Sequence, residues 1–324
     1  MPLIEFSKYN EPPYIFKNPH ISTIYINKLR KTSPPDYGRE RIELADGDFL
    51  DIDFMMNSIT KAVVLCHGLE GNSVRNYNNT AAAYFDSKDF SVFAWNNRSC
   101  SGEMNRLPKL YHHAAINDLD SVVKFVTAKG FQEIYLLGFS MGGVQILNYF
   151  GKKEINSVVK AAVAVSAPIY LKTTAEILKN GFNKIYLKNF LISISKKLNL
   201  KAKQFPELLD WEKLKTVKSF DEIDEYFTAP LHGFENKEDY YRKASPGFVL
   251  ENIETPVLIL NALNDPFLGD DSYPTKLVAE NKTVSLETPK FGGHCAFPLK
   301  NSIFNYSEVR AYEFFNSVIT SSGL

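Results

Sequence analysis

This chain of 324 residues has few cysteines, no formal net charge and no long apolar segment. Its three cysteines, Cys66, Cys100 and Cys295, form an odd and sparse set that is no disulfide framework and that fits a reducing compartment. The 37 basic and 37 acidic side chains cancel, so the composition carries no basic footprint for nucleic acid. No segment approaches the ~20 apolar residues of a membrane span, and the first residues lack the basic-then-apolar order of a signal peptide. We therefore expect a soluble, cytoplasmic protein with no nucleic-acid partner.

Short apolar runs recur along the chain and predict the strands of one sheet. An alternating segment at residues 40–54, centred on Asp46-Gly47, first predicts a β-hairpin. Strand-length apolar runs then occupy residues 62–66, 91–95, 133–137, 160–166, 256–262 and 283–287. Most are apolar on both faces, and helix-length segments lie between them, as at 117–129 and 141–153. This alternation predicts an α/β protein with a mostly parallel, doubly wound sheet.

Two intervals break the alternation. Residues 1–38 are rich in proline and tyrosine without a clear period, and we expect an irregular arm on the body of the protein. Residues 168–250 contain no convincing strand, and 174–198 carry apolar side chains at helical spacing. The sequence therefore predicts a helical cap or lid at 168–250, inserted between strands of a core formed by 39–167 and 251–324.

A candidate nucleophile lies between a predicted strand and a predicted helix. The segment Gly138–Gly143 reads GFSMGG, which contains the pattern G-x-S-x-G. In a strand–turn–helix setting the serine occupies a strained turn that exposes its Oγ, and small flanking residues avoid the neighbouring backbone. We therefore expect Ser140 to be the nucleophile, and the backbone N–H of Met141 to be a donor to an oxyanion.

The general base is sought among the histidines that follow Ser140. A serine hydroxyl is a weak nucleophile until a base takes its proton, and in this type of site the acid and the histidine follow the serine in the chain. Only His232 and His294 do so, and His232 lies in the predicted lid. His294 lies in a glycine-led loop before the last predicted helix, so it is the expected base.

The acid that orients this histidine is expected at the end of the preceding strand. Asp265 is the first carboxylate after the run at 256–262. From there it would accept a hydrogen bond from Nδ1–H of His294 and stabilise the imidazolium that forms. Asp270 and Asp271 follow within a few residues and are the alternatives.

A second oxyanion donor is expected from the loop after the strand at 62–66. That run continues into His67–Gly71 (HGLEG), whose glycines allow the backbone to approach a substrate oxygen closely. We assign the donor to the backbone N–H of Leu69. His67 is interpreted as a structural histidine that holds this loop. No metal or cofactor site is predicted.

Taken together, several segments resemble those of the YheT-type branch of the α/β-hydrolase superfamily. This branch includes α/β-hydrolase-domain esterases and lipases. The resemblance spans about residues 15–298, and the segments that carry it are NPHISTI (18–24), DGDFL (46–50), HGLEG (67–71), NRSCSGE (97–103), GFSMGG (138–143), APLHGF (229–234), YY (240–241), NDPF (264–267) and GGH (292–294). Met141 and Ser99 depart from the branch, where leucine and glycine are common. The resemblance implies hydrolysis of carboxylic esters, with acylglycerols or phospholipids as substrates of some members.

Two other functions fit the same residues. A thioesterase or an amidase would use the same triad, and the sequence does not separate these from an esterase. A protein of this fold without catalytic activity would bind a lipid or a protein through the lid. Such a protein would be expected to have lost a triad residue, and all three are present. The sequence predicts no oligomeric state.

The predicted lid is basic. Between residues 172 and 203 there are eight lysines and a single acidic residue, Glu176, which gives a local net charge of +7. A solvated helix face is the ordinary explanation. The alternative is peripheral contact with an anionic membrane, where each lysine near the surface contributes about 1 kcal/mol.

Overall fold

The computed structural model describes residues 3–4, 6–9 and 11–321. Within them a single sheet of nine strands forms the centre of the molecule, in the order β1-β9-β8-β7-β6-β4-β5-β3-β2. The strands are β1 (Leu3–Ile4), β2 (Gly38–Glu43), β3 (Phe49–Met55), β4 (Lys61–Cys66), β5 (Ser91–Asn96), β6 (Glu133–Phe139), β7 (Val159–Val165), β8 (Val257–Leu260) and β9 (Val284–Glu287). Strand β3 runs antiparallel to both of its neighbours, and the other pairs are parallel. The predicted hairpin and the predicted mostly parallel sheet are confirmed.

Helices cover both faces of this sheet. They are α1 (Pro19–Ile24), α2 (Asn76–Asp86), α3 (Ile116–Ala128), α4 (Met141–Lys152), α5 (Leu171–Leu178), α6 (Asn183–Gln204), α7 (Phe220–Ile223), α8 (Ala229–His232), α9 (Lys237–Ala244), α10 (Thr275–Glu280) and α11 (Tyr306–Ser321). Helices α3 and α4 pack in one core layer, and α2 and α11 pack in the other. Successive residues of β4 alternate between the layers, with Val64 in the first and Val63 and Leu65 in the second. This two-sided burial explains why the strand runs are apolar throughout.

The N-terminal arm is more regular than its composition predicts. Strand β1 pairs with β9 near the other end of the chain, and residues 14–29 form short helical segments rather than an irregular coil. Asn18 caps α1, because its side chain accepts hydrogen bonds from the backbone N–H groups of His20 and Ile21, and Pro19 occupies the first helical position. The Asn-Pro pair is thus a helix-start signal that the compositional interpretation overlooked.

Helices and turns occupy the described chain between β7 and β8, where the lid was predicted. The longest of these helices, α6, packs its Ile194 and Leu198 into an apolar cluster with Met141 and Tyr111 of the core. We refer to residues 168–250 as the lid; through α6 it packs against Met141, which follows shortly after the end of β6. In the part of the chain that the structure describes, no helix combines the length and apolarity needed to cross a bilayer.

A buried charge cluster fixes the turn that follows β5. The guanidinium of Arg98 donates two hydrogen bonds of 2.7 Å to Asp118 and one of 2.8 Å to Asp48, and it pairs with Asp46 at 2.9 Å. Asp48 is completely buried, and Arg98 is 5% exposed. The adjacent Ser99 has φ of 62°, a left-handed conformation that glycine adopts more readily than serine.

We expect Arg98→Met to lower the free energy of unfolding by about 3–5 kcal/mol, because the change leaves two buried carboxylates without their cation. Arg106→Met is the matched control, since Arg106 pairs with Glu43 where both side chains are largely exposed, and such pairs contribute little. Urea denaturation of the two variants measures the difference. Similar losses in both would contradict a structural role specific to the buried cluster.

Candidate active site

Ser140 lies in a tight turn between β6 and α4. Its backbone has φ of 53° and ψ of −118°, a strained combination for a residue other than glycine. The packing around the turn requires glycine on both sides. A Cβ atom on Gly142 would lie 2.1 Å from the carbonyl oxygen of Cys66, and one on Gly138 would lie 2.5 Å from the backbone of Gly142. The G-x-S-x-G pattern therefore reflects the close passage of α4 over the ends of β4 and β6.

The structure brings Ser140 together with the two residues predicted as its partners. Nε2 of His294 lies 2.9 Å from Oγ of Ser140, and Nδ1 lies 2.9 and 3.0 Å from the two carboxylate oxygens of Asp265. If Nδ1–H donates to Asp265, Nε2 is left to accept the serine hydroxyl proton. The alternative acids lie elsewhere, since Asp271 accepts a hydrogen bond from Thr173 and Asp270 is exposed at the start of a short helical turn.

The acid also determines the electrostatics of the histidine. Burial acts to lower the pKa of His294, but the carboxylate of Asp265 acts in the opposite direction and the net pKa is raised above its usual value. His294 is 7% exposed and Asp265 is 5% exposed, so little water screens this interaction. A proton on the imidazole ring of His294 is thereby stabilised.

Two backbone N–H groups at this site have no partner among the described residues. The amides on either side of Leu69 donate to the hydroxyls of Tyr77 and Tyr111, at 3.0 and 2.9 Å. The N–H of Leu69 itself donates no hydrogen bond within the described chain, and neither does that of Met141. Both residues line a cavity with Ser140, and their role as oxyanion donors stays a prediction.

His67 holds the loop that carries Leu69, as the sequence indicates. Its Nδ1 lies 2.7 Å from the carbonyl oxygen of Gly68, and its Nε2 accepts the backbone N–H of Asn97 at 3.0 Å. Burial lowers the pKa of His67 to about 4, so the ring is neutral at physiological pH. It links the loops after β4 and β5.

Glu70 connects the same loop to the lid, a contact that the sequence did not predict. Its carboxylate pairs with Lys197 of α6 at 2.9 Å and accepts hydrogen bonds from Tyr111 and Ser193. Burial acts to raise the pKa of Glu70, but the charge of Lys197 and these hydrogen bonds lower it overall. The residue next to Leu69 is thus secured by the lid helix.

The N-terminal arm supports the loop of His294. Oγ1 of Thr23 accepts the backbone N–H of His294 at 2.9 Å, and the side chain of Asn27 donates to the carbonyl oxygen of His294 at 3.3 Å. Helix α1 approaches this loop so closely that a Cβ atom on Gly293 would lie 2.4 Å from Oγ of Ser22. The sequence predicted that the arm packs on the body but not that it contacts this loop. The segment NPHISTI (18–24), which carries part of the family resemblance, was the sequence feature that could have indicated this contact.

A mostly apolar cavity extends from Ser140 beneath the lid. Its apolar lining includes Met141, Leu171, Leu178, Phe190, Phe227 and Phe267. Polar side chains also line this cavity, among them His112, His232 and Asp224. Burial raises the pKa of Asp224 to about 7 and lowers that of His232 to about 3. These polar side chains are therefore largely uncharged near neutral pH.

The comparisons with known proteins agree with this architecture. The family model described as the alpha/beta hydrolase fold matches residues 61–300. The chain belongs to the α/β-hydrolase fold family. It is 29% identical to YheT of Escherichia coli (strain K12) over 302 residues, which cover 90% of this chain and 88% of YheT. It is 30% identical to the phospholipase ABHD3 of Mus musculus over 275 residues, covering 82% of this chain and 67% of that protein. This hydrolase is thus of the YheT type, as its motifs indicate.

Solved hydrolase structures resemble the chain at lower sequence identity. A Pyrococcus furiosus esterase matches with a TM-score of 0.59 and 17% identity, over 90% of this chain and 97% of the esterase. Est1E from Butyrivibrio proteoclasticus, solved with ferulic acid, matches with a TM-score of 0.53 and 15% identity, over 90% of this chain and all of the other. At these identities the likeness shows the fold of the hydrolase alone.

The raised pKa of Asp224 predicts a pH-dependent stability. The carboxyl group of Asp224 binds its proton more tightly in the folded protein than in the unfolded chain. The protonated carboxyl therefore stabilises the folded state at low pH, and this contribution to the free energy of unfolding is lost as the pH rises from about 4 to about 7. Asp224→Asn removes the ionisation. Its free energy of unfolding, relative to wild type, should therefore increase between pH 4 and pH 8 in urea titrations. Asp210→Asn, at an exposed lid position, should show no such increase, and a flat difference for Asp224→Asn would refute the prediction.

Proposed function

We propose that this hydrolase cleaves carboxylic esters through an acyl-enzyme, with Ser140 as nucleophile, His294 as general base and Asp265 as the orienting acid. The observation that carries the proposal is the hydrogen-bond chain from Asp265 through His294 to Ser140. The relatives add support, since they include the phospholipase ABHD3 and a monoacylglycerol lipase of Saccharomyces cerevisiae (strain ATCC 204508 / S288c). The lipase is 28% identical over 81% of this chain and 61% of its own length.

In the first half of the reaction, Oγ of Ser140 attacks the ester carbonyl carbon while Nε2 of His294 takes the hydroxyl proton. The carbonyl π electrons move to the oxygen, and the N–H groups of Leu69 and Met141 donate to the resulting oxyanion. The imidazolium remains paired with Asp265. When the tetrahedral intermediate collapses, the bond to the alcohol breaks, and His294 gives its proton to the leaving oxygen.

In the second half, water replaces the alcohol. His294 takes a proton from this water, whose oxygen attacks the acyl carbon, and the same two N–H groups hold the second oxyanion. Collapse breaks the bond to Oγ, returns the proton to Ser140 and releases the carboxylic acid. The apolar cavity beneath the lid suits the acyl part of acylglycerol or phospholipid esters.

A fluorophosphonate probe tests the nucleophile. Wild type should be labelled, and Ser140→Ala should lose both the label and ester hydrolysis, because loss of a triad residue lowers the rate by several orders of magnitude. Ser195→Ala, on the lid helix, is the control and should still be labelled. Full labelling of Ser140→Ala would refute the assignment.

We further propose that the lid contacts anionic membranes. Half of the eight lysines at residues 172–203 are engaged within the protein by ion pairs or burial, namely Lys172, Lys179, Lys197 and Lys201. The exposed ones, which have no acidic partner among the described residues, are Lys184, Lys188, Lys196 and Lys203. Three large apolar residues are exposed among them on α6: Ile185, Ile192 and Leu200, at 51%, 46% and 45%. Apolar side chains with interspersed lysines are typical of helices that lie on lipid surfaces.

Vesicle co-sedimentation at low and high salt tests this contact. Binding to anionic vesicles should exceed binding to neutral ones and should weaken with salt, because charges are screened beyond about 8 Å at physiological ionic strength. Two triple Lys→Gln variants distinguish an effect of the lid lysines from an effect of total positive charge. The first changes Lys184, Lys188 and Lys196, and the second changes the exposed Lys276, Lys282 and Lys300. Only the first should lose binding. Equal binding by both variants would refute the membrane contact and would mean that the lid lysines form an ordinary solvated helix face.

A further inference from the structure

A second cavity meets Ser140 from the side, between the N-terminal arm and the lid. It is lined by Thr23 on α1, by Ile185 and Asn189 on α6, and by Ser140 and His294. The apolar cavity beneath the lid also reaches these two catalytic candidates. An ester bound at Ser140 therefore has two directions available. One is apolar and enclosed by the lid, and the other leads to a mouth between arm and lid.

This mouth contains two cations. Lys28, which follows α1, and Arg75, just before α2, both line it. Partial burial lowers the pKa of Lys28 although much of the residue is exposed, and the nearby positive charge of Arg75 lowers it further, as expected for like charges in one site. The side chain of Lys28 is exposed, whereas that of Arg75 is half-buried and donates to the carbonyl oxygen of Glu70 at 2.6 Å.

Among the described residues, no free carboxylate balances the positive charge of the mouth. Glu70 is the one carboxylate among the described lining residues, and it is already paired with Lys197. No carboxylate of the described chain forms an ion pair with Lys28 or Arg75. Two cations that line a cavity together with Ser140, without a counter-ion from the described chain, create a local field that attracts an anionic part of a substrate.

We propose that Lys28 and Arg75 form a subsite for a phosphate group in the alcohol part of the ester substrate. The acyl chain then occupies the apolar cavity beneath the lid, the scissile carbonyl lies at Ser140, and the phosphate lies in the mouth. This inference rests on the proposed ester hydrolysis and adds which class of ester is preferred. Esters of glycerol phosphates are preferred over otherwise identical esters of glycerol.

A matched pair of substrates tests the subsite separately from catalysis. The two are 1-decanoylglycerol and 1-decanoylglycerol 3-phosphate, used as monomers so that no lipid surface contributes. Release of decanoate gives kcat/KM for each. Wild type should favour the phosphate ester, and Lys28→Met should lower the ratio of the two kcat/KM values roughly tenfold, as expected for loss of a charged hydrogen bond.

The variants are chosen so that folding does not confuse the result. Lys28 is exposed, whereas Arg75 also supports the loop of Glu70, so Lys28 is the position to change. Lys28→Arg should restore the ratio, and Lys276→Met, at an exposed lysine on α10, should leave it unchanged. High salt should reduce the preference of wild type.

The outcomes are distinguishable. If wild type hydrolyses neither compound, the proposed ester hydrolysis fails. If it hydrolyses both without preferring the phosphate ester, or if Lys28→Met keeps the wild-type ratio, the subsite is refuted while ester hydrolysis stands. Inorganic phosphate should inhibit hydrolysis of the phosphate ester in wild type more strongly than in Lys28→Met. Equal inhibition would also count against the subsite.

Discussion

The close contact between Gly142 and the carbonyl of Cys66 is the constraint on which the rest of the site depends. Strands β4 and β6 are neighbours, with Cys66 opposite Gly138, so the start of α4 must pass directly over the end of β4. Only a residue without a side chain fits there. The chain accepts a strained conformation at Ser140 as a result. The same contact places the loop after β4, with Leu69, next to the serine that it is proposed to assist.

The groups around Ser140 come from distant parts of the chain, and each is held by a further element. The arm supports His294 through Thr23, whereas the lid supports the loop of Leu69 through Lys197 and Glu70. A proposed catalytic geometry that depends on distances near 3 Å requires such support, because loops alone hold side chains loosely. The lid thus has a part in the site beyond covering the cavity.

Much of the fold and the predicted triad could be read from local patterns. Apolar runs of strand length identify buried parallel strands, and Ser140, Asp265 and His294 follow from strand ends and chain order. The features that the sequence does not reveal depend on contacts between segments that are far apart in the chain. Strand β1 has only two residues and gains its partner from β9. Likewise, the eight lysines at residues 172–203 look alike in the sequence, although Lys197 pairs with Glu70 and Lys184 is exposed to solvent.

The hydrogen bond between Thr23 and the backbone of His294 joins residues separated by 271 positions. During synthesis on the ribosome, the arm emerges long before the loop that it supports. A nascent chain that has reached only the lid still lacks Asp265 and His294, the proposed acid and base. Assembly of the proposed site is therefore a late event that waits for the loop of His294 to emerge, and until then the chain lacks the residues proposed to activate Ser140.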